Sequence, residues 1–150
     1  MVDVHALTAS NSRDLTVYSA DQAANEAASQ AIFATYKGMK SANTLRRHAA
    51  DLTLFTLFLR DAGVAVGDLL NAPAAWRFIS WGFVEAFSAW QLKQGYAIAS
   101  INGRLSTVKV YAGLACKAGV ISPEVKIMIA SVQGYARKEI RHIDEKRAAD

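Results

Sequence analysis

The chain has 150 residues, 52% hydrophobic and 20% charged, which excludes wholesale disorder and leaves room for one ordinary domain with a real core. The single cysteine, Cys116, excludes an internal disulfide, and no apolar run is long enough to span a membrane. The first residues lack the basic and apolar stretches of a secretory signal, so a soluble, cytoplasmic domain is expected. The net charge of +4 is unevenly placed. Residues 1–36 carry Arg13 against Asp3, Asp14, Asp21 and Glu26, whereas 37–149 carry 16 bases and 8 acids. A basic body points to a polyanionic partner.

In chain order, residues 1–19 are polar and irregular and are expected to form a flexible lead. A first helix is predicted from Ala20 to Lys37, with Ala24, Ala27, Ala28, Ala31, Ile32, Thr35 and Tyr36 on one face and Gly38 as its stop. The second is the clearest. Ser41 or Asn43 can cap it, Leu45, Ala49, Leu52, Phe55, Phe58, Leu59 and Ala62 recur at three- and four-residue steps, and Gly63 ends it. Residues 64–79 form a connection with Pro73, the apolar Trp76, Phe78 and Ile79, and a short helical turn. Ser80 reads as the cap of a third helix ending at Gln94 and Gly95, with Phe83, Val84, Phe87, Trp90 and Gln91 inward. A fourth runs from about Ser100 to Ala118, with Ile101, Leu105, Val108, Tyr111, Ala112 and Ala115 inward and Gly119 after it. Ser122-Pro123-Glu124 is a strong start signal for a fifth, which carries Val125, Ile127-Met128-Ile129 and Val132. Residues 134–150 turn polar and read as a linker. The fold class is therefore all-α, a compact bundle of four to five helices over 20–133.

Reactive chemistry is sparse. His5, His48 and His142 lack metal-ligand spacing, Gly95, Gly103 and Gly113 make no phosphate loop, and Cys116 sits among apolar neighbours. No cofactor, metal or catalytic set is expected, and the chain is not expected to be an enzyme by itself.

Two segments carry the functional signal. In 40–48, Lys40, Asn43, Thr44 and Arg47 share a helix face with Arg46 on its flank. Amides, a hydroxyl and arginines at a helix start suit phosphate oxygens. In 100–109, Ser100, Gly103, Arg104 and Thr107 form an outer face, with Asn102, Ser106 and Lys109 beside it. Small residues around one arginine allow close approach to a groove, though tight helix packing explains Gly103 equally well. For 40–48 the plain alternative is a solvated helix face with a capping serine.

Taken together the segments resemble the core-binding domain of the tyrosine recombinase, or phage integrase, family, the SAM-like helical DNA-binding half. The match rests on Ser41, Thr44, Asp51-Leu52, Phe55, Phe58 and Gly63. It continues through Gly95, Ser100-Ile101-Asn102, Arg104-Leu105-Ser106, Tyr111, Gly119 and Ile121, covering roughly residues 38–123. His48 departs from the tyrosine common at its position. The resemblance implies a clamp on double-stranded DNA in which Thr44, Arg46 and Arg47 on the second helix and Ser100, Asn102, Gly103, Arg104 and Thr107 on the fourth meet the duplex. Lys40 and Lys109 join them on charge and expected facing. It also implies self-association on DNA through the first and last helices, and no membrane. The family's catalytic half, with its His-x-x-Arg pair, is not matched: His142 is followed at the third position by Glu145. The resemblance thus implies a DNA-binding part without strand cleavage of its own. The alternative is a helical protein-interaction module with no nucleic-acid role.

Overall fold

The structure, a computed structural model, describes residues 4–136, with side chains from Asp14 onward. Among the described residues it is all-helical: α1 Val4–Gly38, α2 Ala42–Asp61, a 3-10 turn at Pro73–Trp76, α3 Trp81–Gln94, α4 Ile98–Lys117 and α5 Pro123–Ala130. Local chemistry sets most of these limits. Ser41 and Ser122 lie in extended backbone before α2 and α5, and each Oγ accepts the backbone N–H three residues on, from Thr44 and from Val125, both at 3.2 Å. Gly63 and Gly119 end α2 and α4 with φ of +87° and +79°, where an L side chain is strained. The following amides, of Val64 and Val120, reach back to the carbonyls of Leu59 and Ala115.

α4 is the central strut, packed by α1, α2, α3, α5 and the 3-10 turn. Its Ile101, Leu105, Val108, Tyr111, Ala112 and Ala115 are all buried, as their spacing predicts. Around them close Leu52, Phe55 and Leu59 of α2, Val84 and Phe87 of α3, Ile129 of α5, and Trp76, whose indole N–H donates to the Leu69 carbonyl at 2.9 Å. Each such aliphatic or aromatic burial is worth about 1.5–3 kcal/mol.

The structure corrects four expectations. Helix α1 begins at Val4 rather than Ala20, so the lead expected to be irregular is helical: no Gly or Pro interrupts it, and lack of an apolar stripe does not prevent a helix. The alanine face of α1 is exposed from Ala24 to Ala31. The anchor is Phe33, flanked by Ile32 and Tyr36, because alanines bury too little surface to hold a helix down. α4 starts at Ile98, after Ala97, rather than at Ser100. α5 ends at Ala130, so Val132, expected within it, lies beyond it; it is buried with Ile129, while Ile127 and Met128 are exposed. Residues 137–150, most of the expected linker including His142 and Glu145, lie outside the described residues.

Candidate nucleic-acid interface

The site is built from the α2–α4 pair. His48 meets Tyr111 while Asp51, further along α2, meets Thr107 and Arg104, earlier on α4, so the helices run antiparallel. At one end His48 is buried, its ring stacked on Tyr36 of α1 and edge-on to Tyr111, with Nδ1 3.2 Å from the Tyr111 hydroxyl. Burial, then the nearby Arg47 charge, hold the imidazole below its ordinary value; Asp51 pulls the other way, and Lys40 adds to the lowering. Burial pushes the Tyr111 phenol up to about 12, so it keeps its proton at neutral pH, and the His48 tautomer sets which of the two donates. No feature of the sequence around position 48 announces this three-helix junction, because its partners stand on α1 and α4.

One turn along, Thr107 Oγ1 donates to Asp51 Oδ2 at 2.7 Å, and the Arg104 guanidinium reaches Asp51 Oδ1 at 4.0 Å. Arg104 also donates to Gln91 Oε1 at 3.0 Å and lies over the Tyr96 ring, 4.6 Å from its centroid. This overturns the outward placement of Thr107, which is 2% exposed and spends its hydroxyl on the carboxylate. Arg104, with 20% of its side chain exposed, is a half-buried tie between α2, α3 and the α3–α4 turn rather than a free surface arginine. Helical spacing groups Thr107 with Ser100, Gly103 and Arg104 as an outer face; the carboxylate that turns it inward is 56 residues away.

What remains outward on α4 is a strip of small side chains: Ala99, Ser100, Ser106 and Val110 are exposed, with Gly103 half-buried and open space where its Cβ would be. The neighbouring α2 carries the exposed Lys40, Arg46 and Arg47, with Thr44 half-buried beside its capping bond to Ser41. Arg46 donates to Asn43, and Lys40 lies over the Tyr36 ring at 5.0 Å. Arg47 sits one turn before Asp51, on the same side of α2. On the α5 side are Lys109, rotated by roughly 140° from Arg104 around α4, and Lys126, whose chain passes over Gly113. Arg46, Arg47, Lys109 and Lys126 form no ion pair among the described residues. Val110 and Lys126 are members that the sequence reading does not include.

Asn102 is a further correction. Its amide, expected to face a ligand, is taken by the chain after α5: Nδ2 donates to the Tyr135 carbonyl and Oδ1 accepts the Tyr135 N–H, both at 2.9 Å. The ten expected contact residues therefore divide. Lys40, Arg46, Arg47 and Ser100 are exposed and Thr44, Gly103 and Lys109 half-buried, while Asn102, Arg104 and Thr107 are bonded within the fold.

Among the described residues no three His, Cys, Asp or Glu side chains gather where they could hold a metal ion, and no helix is long and apolar enough to cross a membrane. Comparison with known protein families, curated proteins and solved structures finds no match to this chain.

Proposed function

We propose that this chain is a double-stranded-DNA-binding module of tyrosine recombinase core-binding type, working in the cytoplasm and lacking strand-cleaving chemistry of its own. The observation that carries the reading is the smooth α4 strip with Lys109 and Lys126 to one side and exposed cations on the neighbouring α2, of which Arg46, Arg47, Lys109 and Lys126 form no ion pair among the described residues. A duplex presents two lines of phosphates separated by a groove. A helix face with no side chain longer than valine can come close to such a groove while flanking lysines and arginines meet the phosphates. Lys40, Arg46, Arg47, Lys109 and Lys126 supply the charge, and Ser100 and Ser106 the nearest hydrogen-bonding groups. Self-association on DNA belongs to the same reading. It is supported by the outer part of α1, which carries exposed Leu15, Val17 and Tyr18, and by exposed Ile127 and Met128 on α5. Charge reversal tests the proposal: Arg46→Glu with Arg47→Glu is expected to weaken binding of any duplex and to flatten its salt dependence. Both side chains are exposed, so the fold should hold; unchanged DNA affinity in the folded variant would contradict the reading.

A further inference from the structure

The strip on α4 is closed on one side by the protein's own chain. After α5, Val132 is buried and anchors the polypeptide. Residues 133–136 then run past α4, where Asn102 grips Tyr135 through both its amide nitrogen and its amide oxygen. This two-point hold is the pairing one peptide group offers another in a sheet, delivered here by a side chain. It depends on Gly134: a Cβ there would lie 2.5 Å from Asn102 Oδ1, so the Asn102 amide or the strap would have to shift and the two-point hold would be lost. The held strap meets α4 at Asn102, one residue before Gly103 and one turn before Ser106, and it engages the one side-chain amide on this part of α4 that could address a base edge or a phosphate.

We infer that the 133–136 strap and DNA compete for Asn102, so that the strap is an internal brake on the α4 surface and its release accompanies tight binding. This rests on the DNA reading of the same surface. Because the two are exclusive, the coupling is reciprocal: DNA loosens the strap by the factor by which the strap weakens DNA. The chain leaving residue 136 thereby senses whether the strip is occupied.

Two measurements on the full chain decide it. The first is duplex binding by fluorescence anisotropy for wild type, Gly134→Ala and Gly134→Ala/Asn102→Ala. The alanine at 134 breaks the latch from the strap side and leaves Asn102 intact, so affinity is expected to rise by about threefold to tenfold, the scale of one net hydrogen bond. Removing Asn102 as well should abolish that gain. The second is amide hydrogen exchange at Tyr135, protected in the free protein and expected to lose protection at saturating DNA. Gly134→Ala binding no tighter than wild type, or a Tyr135 amide equally protected with DNA bound, overturns the competition while leaving DNA binding intact. If neither wild type nor Gly134→Ala binds a duplex at low salt, the DNA reading falls and the competition with it. A Tyr135 amide unprotected in the free protein overturns the latch whatever the DNA result.

Discussion

Thr107→Val separates a structural role from a DNA-contacting one. Valine keeps the shape of threonine and removes the hydroxyl that donates to Asp51 at 2.7 Å. Asp51 is 8% exposed, so the lost donor is not replaced freely by solvent, and the remaining cation, Arg104, stands at 4.0 Å. A hydrogen bond to a charged group contributes about 1.5–3 kcal/mol, and the partial access of Asp51 to water favours the middle of that range, about 2 kcal/mol. For a domain of this size that lowers the melting temperature by about 6–8 °C. The assay is denaturant unfolding of wild type, Thr107→Val, Asp51→Asn and the double variant, with DNA binding measured on each folded protein. The two positions should couple by about 1–2 kcal/mol, and Thr107→Val should leave the salt dependence of DNA binding unchanged. A loss below about 0.5 kcal/mol, the ordinary scatter of a surface substitution, would refute the reasoning, as would a DNA defect at full stability.

Two further expectations follow from the core. His48 titrates below its unfolded value, so the unfolded chain binds the extra proton. Stability is full above pH about 6.5 and declines as pH falls from there toward the folded value. Denaturant unfolding at pH 8 and near pH 5.5 should show a larger loss for wild type than for His48→Gln. Asp68, held low chiefly by the Asn71 side-chain amide, loses its contribution only as pH falls through the ordinary carboxylate range and below, so it leaves that window clear. Trp76→Ala, which empties a fully buried indole site and orphans the Leu69 carbonyl, should cost about 3–5 kcal/mol by the same unfolding assay.

The parts of the fold written in local chemistry are readable from sequence. Ser122-Pro123 starts α5, Gly63, Gly95 and Gly119 stop their helices, and the α4 periodicity places the six residues it predicts inward, Ile101, Leu105, Val108, Tyr111, Ala112 and Ala115, in the core. What sequence withholds are pairings across distance. Thr107 looks like an outer-face threonine until Asp51 is brought opposite it, and Asn102 looks like a free amide until Tyr135 returns from 33 residues away. The course of α1 escapes for another reason: helix propensity extends beyond the stretch that packs, so the apolar pattern underestimates its length. For the candidate surface, residue type and helix position point to Lys40, Arg46, Arg47 and Lys109, whereas Lys126 enters only through the packing of α5 on α4.

The central claim, a cationic surface that grips duplex DNA through phosphates, is tested most directly by measuring affinity for a labelled random-sequence duplex as a function of salt. Three to five phosphate contacts from Lys40, Arg46, Arg47, Lys109 and Lys126 predict a log–log slope of about −3 to −4.5, with affinity falling by about two orders of magnitude between about 50 and 200 mM salt. No binding at the lowest salt, or binding indifferent to salt, would contradict the account.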